Sequence, residues 1–294
     1  MIRRACSFAL YPVLVLGAAW AMVVALDREY PTFWSVAIIQ TAATVVAIAL
    51  EYALPFRRAW LHSHGDLRTD LAHLVVTSNV VTGVRWAVTA GFVAVTGLLG
   101  AAGPTGFAVW PAAWPLWAQV ALIAVLQSFF GYWIHRAHHT LPILWRLHAV
   151  HHSAPRVYWL NQVRVHPIES VLDGLTFLPL LLLGTPERAL LVFTALAGMH
   201  LTLQHANIDL RIGPLNWIVS MSELHRWHHS RERAEADANY GGTLLLWDVV
   251  FGTRVLPRDR EPPADTGLTG YPAYPTGYLA QLASPFRAAL WRPR

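Results

Sequence analysis

Apolar residues fall into five long runs along the chain, and polar breaks set their limits. The first covers residues 8–26 behind Arg3 and Arg4, and the second covers 33–54 with Glu51 as its one charge. Each has roughly the 20 residues that a membrane-spanning helix needs. The first has the charged start of a signal peptide. No clear small-residue cleavage site follows it, so a retained transmembrane helix is the better reading. The third run, 71–100, is long enough to span yet holds His73, Asn79 and Arg85. Such groups face a bundle interior or snorkel to the interface, as a tilted helix with its first turns outside the hydrocarbon allows. A charge-free Gly/Pro loop at 101–115 separates it from the fourth run, 116–134, which leads straight into His135.

The fifth stretch, 171–203, is apolar but broken by Gly184-Thr185-Pro186-Glu187. Thr185 as N-cap with Pro186 at the first helical position reads as a helix restart. Two helices of about 13–18 residues, shorter than a full span, then form a hairpin that dips into the membrane and returns. Positive charge sets the orientation. The N-terminus and the 55–70 loop carry arginines, whereas the 27–32 and 101–115 loops carry one between them. By the positive-inside rule the N-terminus and His135 face the cytoplasm. The predicted architecture is an all-α integral membrane protein. It has about four transmembrane helices, a short membrane-dipping hairpin and a cytosolic, histidine-rich helical cap. Beyond residue 257 Pro and Gly recur, which predicts an irregular tail with a short amphipathic helix near 280–291.

Composition supports a membrane location. The 294 residues are 55% hydrophobic and 13% charged, against about 25% charged in soluble domains. All 22 basic residues are arginine, which fits a GC-rich bacterial genome, and the net charge is +5. These arginines are spread along the chain with no aromatic-interleaved basic tract, so anionic lipid headgroups are the expected partner and nucleic acid is not. Cys6 stands alone, which excludes an internal disulfide, an iron–sulfur cluster and a thiolate zinc site.

Histidine changes the picture. Twelve of the 15 lie between 135 and 229. Positions i, i+3 and i+4 share a helix face, and that spacing occurs at His135, His138 and His139, again at His148, His151 and His152, and again at His225, His228 and His229. One such box is usually a solvated helix face, but three boxes in one chain indicate a metal site. Its ligands are imidazoles, which suit iron, zinc, copper or nickel. Eight or more imidazoles exceed the needs of one ion, so two ions fit the count better. Carboxylates in this region are only Glu169, Asp173, Glu187, Asp209 and Glu223, too few for the Glu-rich ferritin-like pattern. His62 and His64 read as loop residues. Trp145, Trp217, Trp227 and Trp247 read as interface or core aromatics.

The motifs H-R-x-x-H, L-W-R-x-H-x-x-H-H-S, R-x-H-P-x-E, Q-H-A-N-I, L-H-R-W-H-H-S, N-Y-G and W-D-x-x-F-G-T together resemble the fatty acid hydroxylase/sterol desaturase superfamily, over residues 71–253. The resemblance implies a membrane-bound, non-haem di-iron oxygenase that hydroxylates or desaturates an unactivated C–H position of a lipid with O2. It implies two iron ions, an active site facing the cytoplasm of a bacterial inner membrane, and a catalytic domain over 71–256 between a 1–70 transmembrane hairpin with its loop and a 257–294 tail. Matched motif by motif, the implied ligands are His135, His139, His148, His151, His152, His225, His228 and His229, with His205 as the ninth. His138 falls where the motif is open. His166 and Glu169 would orient or supply a ligand, with helix capping as the plainer role for His166. His200 stands between ligand and buried polar residue. Asn239 and Tyr240 would shape a turn near the site.

Electrons would come from a separate donor, a ferredoxin or a cytochrome b5-like protein with its reductase, docking where Arg156, Arg226, Arg231 and Arg233 offer positive charge. The alternative reading, a histidine-lined metal transporter or store, would put its cargo site near the membrane midplane. The boxes instead lie beyond the ends of the apolar runs.

Overall fold

The apolar runs fold as helices, the one spanning structure besides a closed barrel that satisfies its own backbone in lipid. The computed structural model describes residues 2–84, 109–262 and 264–291. Among these residues there is no β-strand, only three isolated bridges. Helix α1 (Ile2–Asp27) turns through Glu29, at φ 54°, into α2 (Thr32–Ala53). Helix α3 (Leu67–Ala72) continues through a π turn at His73–Thr77 to residue 84. Arg85, the rest of the predicted third span and most of the 101–115 loop lie outside the described residues. Helix α4 (Leu116–Thr140) carries the fourth run and the first histidine box without a break. Three helices among the described residues are long and apolar enough to cross a membrane: Phe8–Asp27, Thr32–Ala53 and Leu116–Thr140.

Pro142 opens α5 (Pro142–His152), where its fixed φ and missing N–H suit the first turn. The predicted hairpin follows, with two corrections. Its descending arm is broken into α6 (Pro167–Gly174), a 3₁₀ turn and α7 (Leu178–Leu182), with Pro179 in the first turn of α7. The returning arm, α8 (Glu187–His205), has 19 residues and so is about 28 Å long. Arg188 at the start of α8 pairs with Asp27, the last residue of α1, at 2.6 Å, and Trp110 N–H donates to Leu183 O at 2.9 Å. The hairpin tip therefore lies level with the end of α1 and the approach to α4. Thr185 does not cap the helix. Its hydroxyl donates to Leu180 O, and Pro186, extended at ψ 137°, takes the N-cap position.

Helix α8 is the axis of the molecule. Its face with Met199 and Leu203 packs with Tyr11, Val15, Ala43 and Ala47 of α1 and α2. Val192 and Phe193 pack with Met22, Val120 and Ile123 of α1 and α4. Small residues bring the backbones close, as is usual in lipid. At Gly198 a Cβ would lie 2.2 Å from the Gln40 amide.

The remaining short helices are α9 (Ser222–His228), α10 (Arg233–Ala236), α11 (Leu246–Val250) and α12 (Tyr278–Ala283). In place of one amphipathic helix over 280–291, α12 gives way to 3₁₀ turns at Ser284–Phe286 and Ala288–Trp291, with Pro285 at the break. This tail is bound to the histidine cap. Gln281 Nε2 donates to Ser153 Oγ, Thr266 donates to Ala154 O, and His73 meets Gln281 at 3.3 Å. Two buried ion pairs, Arg156–Asp66 at 2.7 Å and Arg164–Asp70 at 2.8 Å, clamp the 57–70 segment to the loop after α5.

Candidate metal centre

Four elements converge on the cap. α4 brings His135 and His139, α5 brings His148, His151 and His152, α8 ends on His205, and α9 with its C-cap brings His225, His228 and His229. The imidazoles form two groups. In His135, His139, His148, His152 and His228 one ring nitrogen of each lies within 4.8 Å of all the others, and the same holds for His151, His205, His225 and His229. Together these are the nine histidines expected from the motifs. The groups adjoin, with ring centroids 4.7 Å apart for His152–His229 and 5.2 Å apart for His225–His228.

Hydrogen bonding fixes which nitrogen faces inward. His135 Nδ1 lies 2.8 Å from Tyr240 O, and His228 Nδ1 lies 2.7 Å from Ala238 O. A carbonyl only accepts, so each Nδ1 carries the proton and each Nε2 presents a lone pair. The same holds for His151 against Arg164 O and for His205 against Leu201 O. His139 Nδ1 faces Asp237 Oδ1 at 3.1 Å. The inward nitrogens then meet one another: His135 Nε2 is 3.1 Å from His148 Nε2, His205 Nε2 is 3.4 Å from His151 Nε2, and His225 Nε2 is 2.9 Å from His205 Nε2. His139 Nε2 and His228 Nε2 are buried with no hydrogen-bond partner among the described residues.

Facing lone pairs repel, and buried ones without a donor are costly. A cation in each group removes both penalties, so the donor sets fit two metal ions. Burial, reinforced by the neighbouring imidazoles, holds His148, His151, His152, His225, His228 and His229 well below the ordinary imidazole pKa. At neutral pH they are uncharged ligands.

The remaining candidates separate. Glu169 Oε1 contacts His148 Nδ1 at 2.6 Å, while its Oε2 and His138 Nε2 are buried without hydrogen-bond partners among the described residues. His138, His148 and Glu169 also bring one ligand atom each within 4.8 Å of one another. His166 stays outside both groups: its Nδ1 caps α6 by accepting from Ile168 N–H, and its Nε2 donates to Leu282 O. His200 is also outside. Tyr11 O–H donates to its Nδ1 at 2.7 Å and its Nε2 donates to Gly242 O, so neither nitrogen is free for a metal. His62 and His64 are exposed in their loop.

Asn239, in the left-handed region at φ 55°, accepts from Val255 N–H and donates to Leu224 O and Val255 O. Asp248 accepts from the Tyr240 and Gly241 amides. Pinned this way, the 237–241 turn presents Asp237, Ala238 O and Tyr240 O to three different imidazoles. The W-D motif quoted Asp248 without a role for it, and Asp237 and the carbonyls carried no signal.

Two cavities reach the imidazoles. One of about 300 Å³ opens past Arg231, Arg233 and Trp145 onto His139 and His152. Another of about 200 Å³ lies between α4, α6 and α8 against His135. A larger one of about 390 Å³, beneath the 256–262 loop, touches none of the nine. Of the arginines expected to dock a donor, Arg156 and Arg226 are buried. The first pairs with Asp66, and the second donates to Ile208 O against the Phe56 ring. Arg231 and Arg233 are the exposed members, paired with Asp265 and Asp237.

Long apolar helices beneath a cap of converging, neutral imidazoles define a membrane protein with two histidine clusters able to hold metal. The family model for fatty acid hydroxylase matches residues 120–253. Over 298 aligned positions the chain is 35% identical to ornithine lipid hydroxylase of Rhizobium tropici, covering 97% of this chain and 85% of that protein. It is 31% identical over 155 positions to alkylglycerol monooxygenase of Xenopus tropicalis, covering 51% of this chain and 33% of the relative. It is 30% identical over 139 positions to very-long-chain aldehyde decarbonylase of Oryza sativa subsp. indica, covering 46% and 52%. No solved structure matches the chain. The chain belongs to the fatty acid hydroxylase family and is an oxygen-dependent oxidoreductase.

Proposed function

We propose that the protein is a di-iron lipid hydroxylase, inserting oxygen at an unactivated C–H position from the cytoplasmic side of the membrane with electrons from a separate protein. The observation that carries this reading is the pair of imidazole groups whose inward lone pairs face one another with no proton donor between them. Iron bound there supplies the oxygen-activating chemistry that attack on such a bond requires. The chain's own residues hold the ligands. Glu169 fixes His148, Tyr240 O fixes His135, Ala238 O fixes His228 and Arg164 O fixes His151, each through Nδ1. Such outer contacts set ring orientation and tautomer. Burial limits water at the centre: all nine histidines except His135 are buried. Hydroxylation is favoured over desaturation because the relative aligned along nearly the whole chain is named a hydroxylase. An ornithine lipid or similar amino lipid is accordingly the proposed substrate. Lipid analysis of membranes with the wild type and with His228→Ala tests the reading. A lipid species about 16 mass units heavier, the mass of one inserted oxygen, should accumulate with the wild type alone. Its absence from both rejects the assignment.

A further inference from the structure

The cavity of about 390 Å³ beneath the 256–262 loop touches none of the nine histidines, so the metal centre gives it no role. Arg226, only 2% exposed, forms one of its walls. One terminal nitrogen donates to Ile208 O, and Nε is buried with no hydrogen-bond partner among the described residues. Arg226 makes no ion pair among those residues either. Glu223, one turn earlier on α9, instead accepts through Oε2 from Ile212 N–H and Asn216 Nδ2. A buried guanidinium without a contacting anion is costly, and an apolar side chain of similar length would pack there without the penalty.

The rest of the lining has the same sign. Four arginines face three carboxylates. Arg260 pairs with Glu235, and Arg211 with Asp209 and Glu261. Arg258 is exposed and, like Arg226, has no carboxylate within ion-pairing distance among the described residues. Arg226 stacks on Phe56, with Cζ 3.9 Å from the ring centre, and Arg260 stacks on Trp227 at 4.6 Å. A guanidinium held against a ring keeps its N–H edge for an anion, and its planar fork suits phosphate.

The fold also sets the level of the cavity. The apolar helix α2 ends at Ala53, three residues before Phe56. Leu54 O accepts from Asp209 N–H at 2.8 Å, which brings the chain before Arg211 to the same helix end. Arg57 donates to Pro262 O, which ties down the loop above. The end of a membrane span is the level of lipid head groups, where clustered arginines attract anionic ones. At about 390 Å³ the space falls within the roughly 300–1,000 Å³ of pockets that enclose a small molecule.

We propose that this cavity binds the phosphate of an anionic phospholipid, with Arg226 as the buried contact and Arg258 closing from the loop. The bound head group ties α9, which carries His225 and His228, to the end of α2 and to the 256–262 loop.

The test uses full-length protein, delipidated in a non-ionic detergent, and native mass spectrometry. Phosphatidylglycerol should fill one site at least tenfold more tightly than phosphatidylcholine, whose cationic end the arginines repel. Arg258→Glu should abolish that preference. Arg226→Met, which keeps the packing without the charge, should abolish it too, with metal content and a single elution peak as checks of folding. If Arg226→Met does not fold, Arg258→Glu, on an exposed loop, decides alone. A wild type with no such site, or an unchanged preference in Arg258→Glu, overturns the proposal. Glycerol phosphate and inorganic phosphate form the second arm, and each should compete only at far higher concentration than the lipid. Glycerol phosphate that binds as tightly as phosphatidylglycerol overturns the lipid source and assigns the cavity to a soluble phosphate. None of these measurements involves turnover, so their failure is distinguishable from failure of the hydroxylase reading.

Discussion

Glu169 Oε1 lies 2.6 Å from His148 Nδ1, with both side chains buried. Burial pushes the carboxyl well above its usual pKa, and burial with neighbouring imidazoles pushes His148 well below. With a carboxyl oxygen accepting from Nδ1–H, His148 keeps the lone pair on Nε2. The role of Glu169 is to aim His148 Nε2, which sits 3.1 Å from both His135 Nε2 and His152 Nε2. Removing such a partner weakens metal binding about 10–100-fold. Glu169→Ala should show that loss in a competition titration with a chelator. Glu169→Gln, which keeps an acceptor for Nδ1–H, should lose less. Equal affinity in all three proteins would mean that Glu169 does not orient the ligand.

Each imidazole group should hold one ion. His148→Ala opens the first group and His151→Ala the second, so each variant should lose about half of a two-ion content by elemental analysis, or more if the sites are coupled. Both proteins should still insert into membranes, because neither side chain belongs to the two apolar clusters that pack α1, α2, α4 and α8. Metal-free wild-type protein, or full content in both variants, would contradict the assignment.

The convergence of the nine histidines was legible because residues that share a helix face leave their spacing in the sequence. His200 was ambiguous for a physical reason: only the fold shows Tyr11 and Gly242 O occupying its two nitrogens. The carbonyls of Ala238 and Tyr240 were invisible, since a backbone acceptor has no residue type. The returning arm of the hairpin outruns the apolar stretch because helix length is not set by apolar length alone. Helix α8 continues through His200 to His205, and those polar residues are tolerated because the cap buries and pairs them. Arg156 and Arg226 read as surface charge because a buried arginine looks the same in sequence until Asp66 and Phe56 are found beside it.

Asp248 gives a pH-dependent test of the turn that orients His135, His139 and His228. Its Oδ1 accepts from Tyr240 N–H and its Oδ2 from Gly241 N–H. In Asp248→Asn one of these amides faces an NH2 group, so metal-free protein should lose stability at every pH. Burial raises the Asp248 pKa to about 6, so the folded state binds this proton more tightly than the unfolded chain. The group's contribution to stability therefore grows as pH falls through about 6 and is lost as pH rises. The gap between wild type and Asp248→Asn should be wider at about pH 5 than at about pH 7, by about 1 kcal/mol. A gap that stays constant or narrows on acidification would mean that burial does not raise the Asp248 pKa.

Orientation follows from the arginine distribution and the shared centre. Reporter fusions after Arg68 and Arg233 should both give cytoplasmic signals, and one after Thr105 a periplasmic signal. The contact of Arg188 with Asp27 adds a further expectation. A cysteine at position 188 should be protected from a cytoplasmic thiol reagent, because the hairpin tip lies at the far end of α1. Opposite signals at 68 and 233 would separate segments that the fold joins through Arg156–Asp66 and Arg164–Asp70.

Turnover should require an electron donor from another chain. A hydroxylation consumes two electrons beyond those taken from the C–H bond. This sequence holds one cysteine and no G-x-G-x-x-G behind a strand, so it supplies neither an iron–sulfur cluster nor that dinucleotide site. With Arg156 and Arg226 buried, the exposed arginines near the centre are Arg231 and Arg233, at the mouth of the cavity that leads to His139 and His152. Trp145 lines the same cavity, its ring 5.3 Å from His139 and 5.6 Å from His152. Both arginines already pair with aspartates, so an acidic donor would meet a weakly positive rim and steering would be modest. Arg231→Glu with Arg233→Glu should slow donor-driven turnover several-fold at low salt, with the difference shrinking as ionic strength rises. Iron-loaded protein given O2, lipid and NADPH but no carrier should make no more than a single turnover. Sustained product formation there would show that the chain accepts electrons directly from the nucleotide.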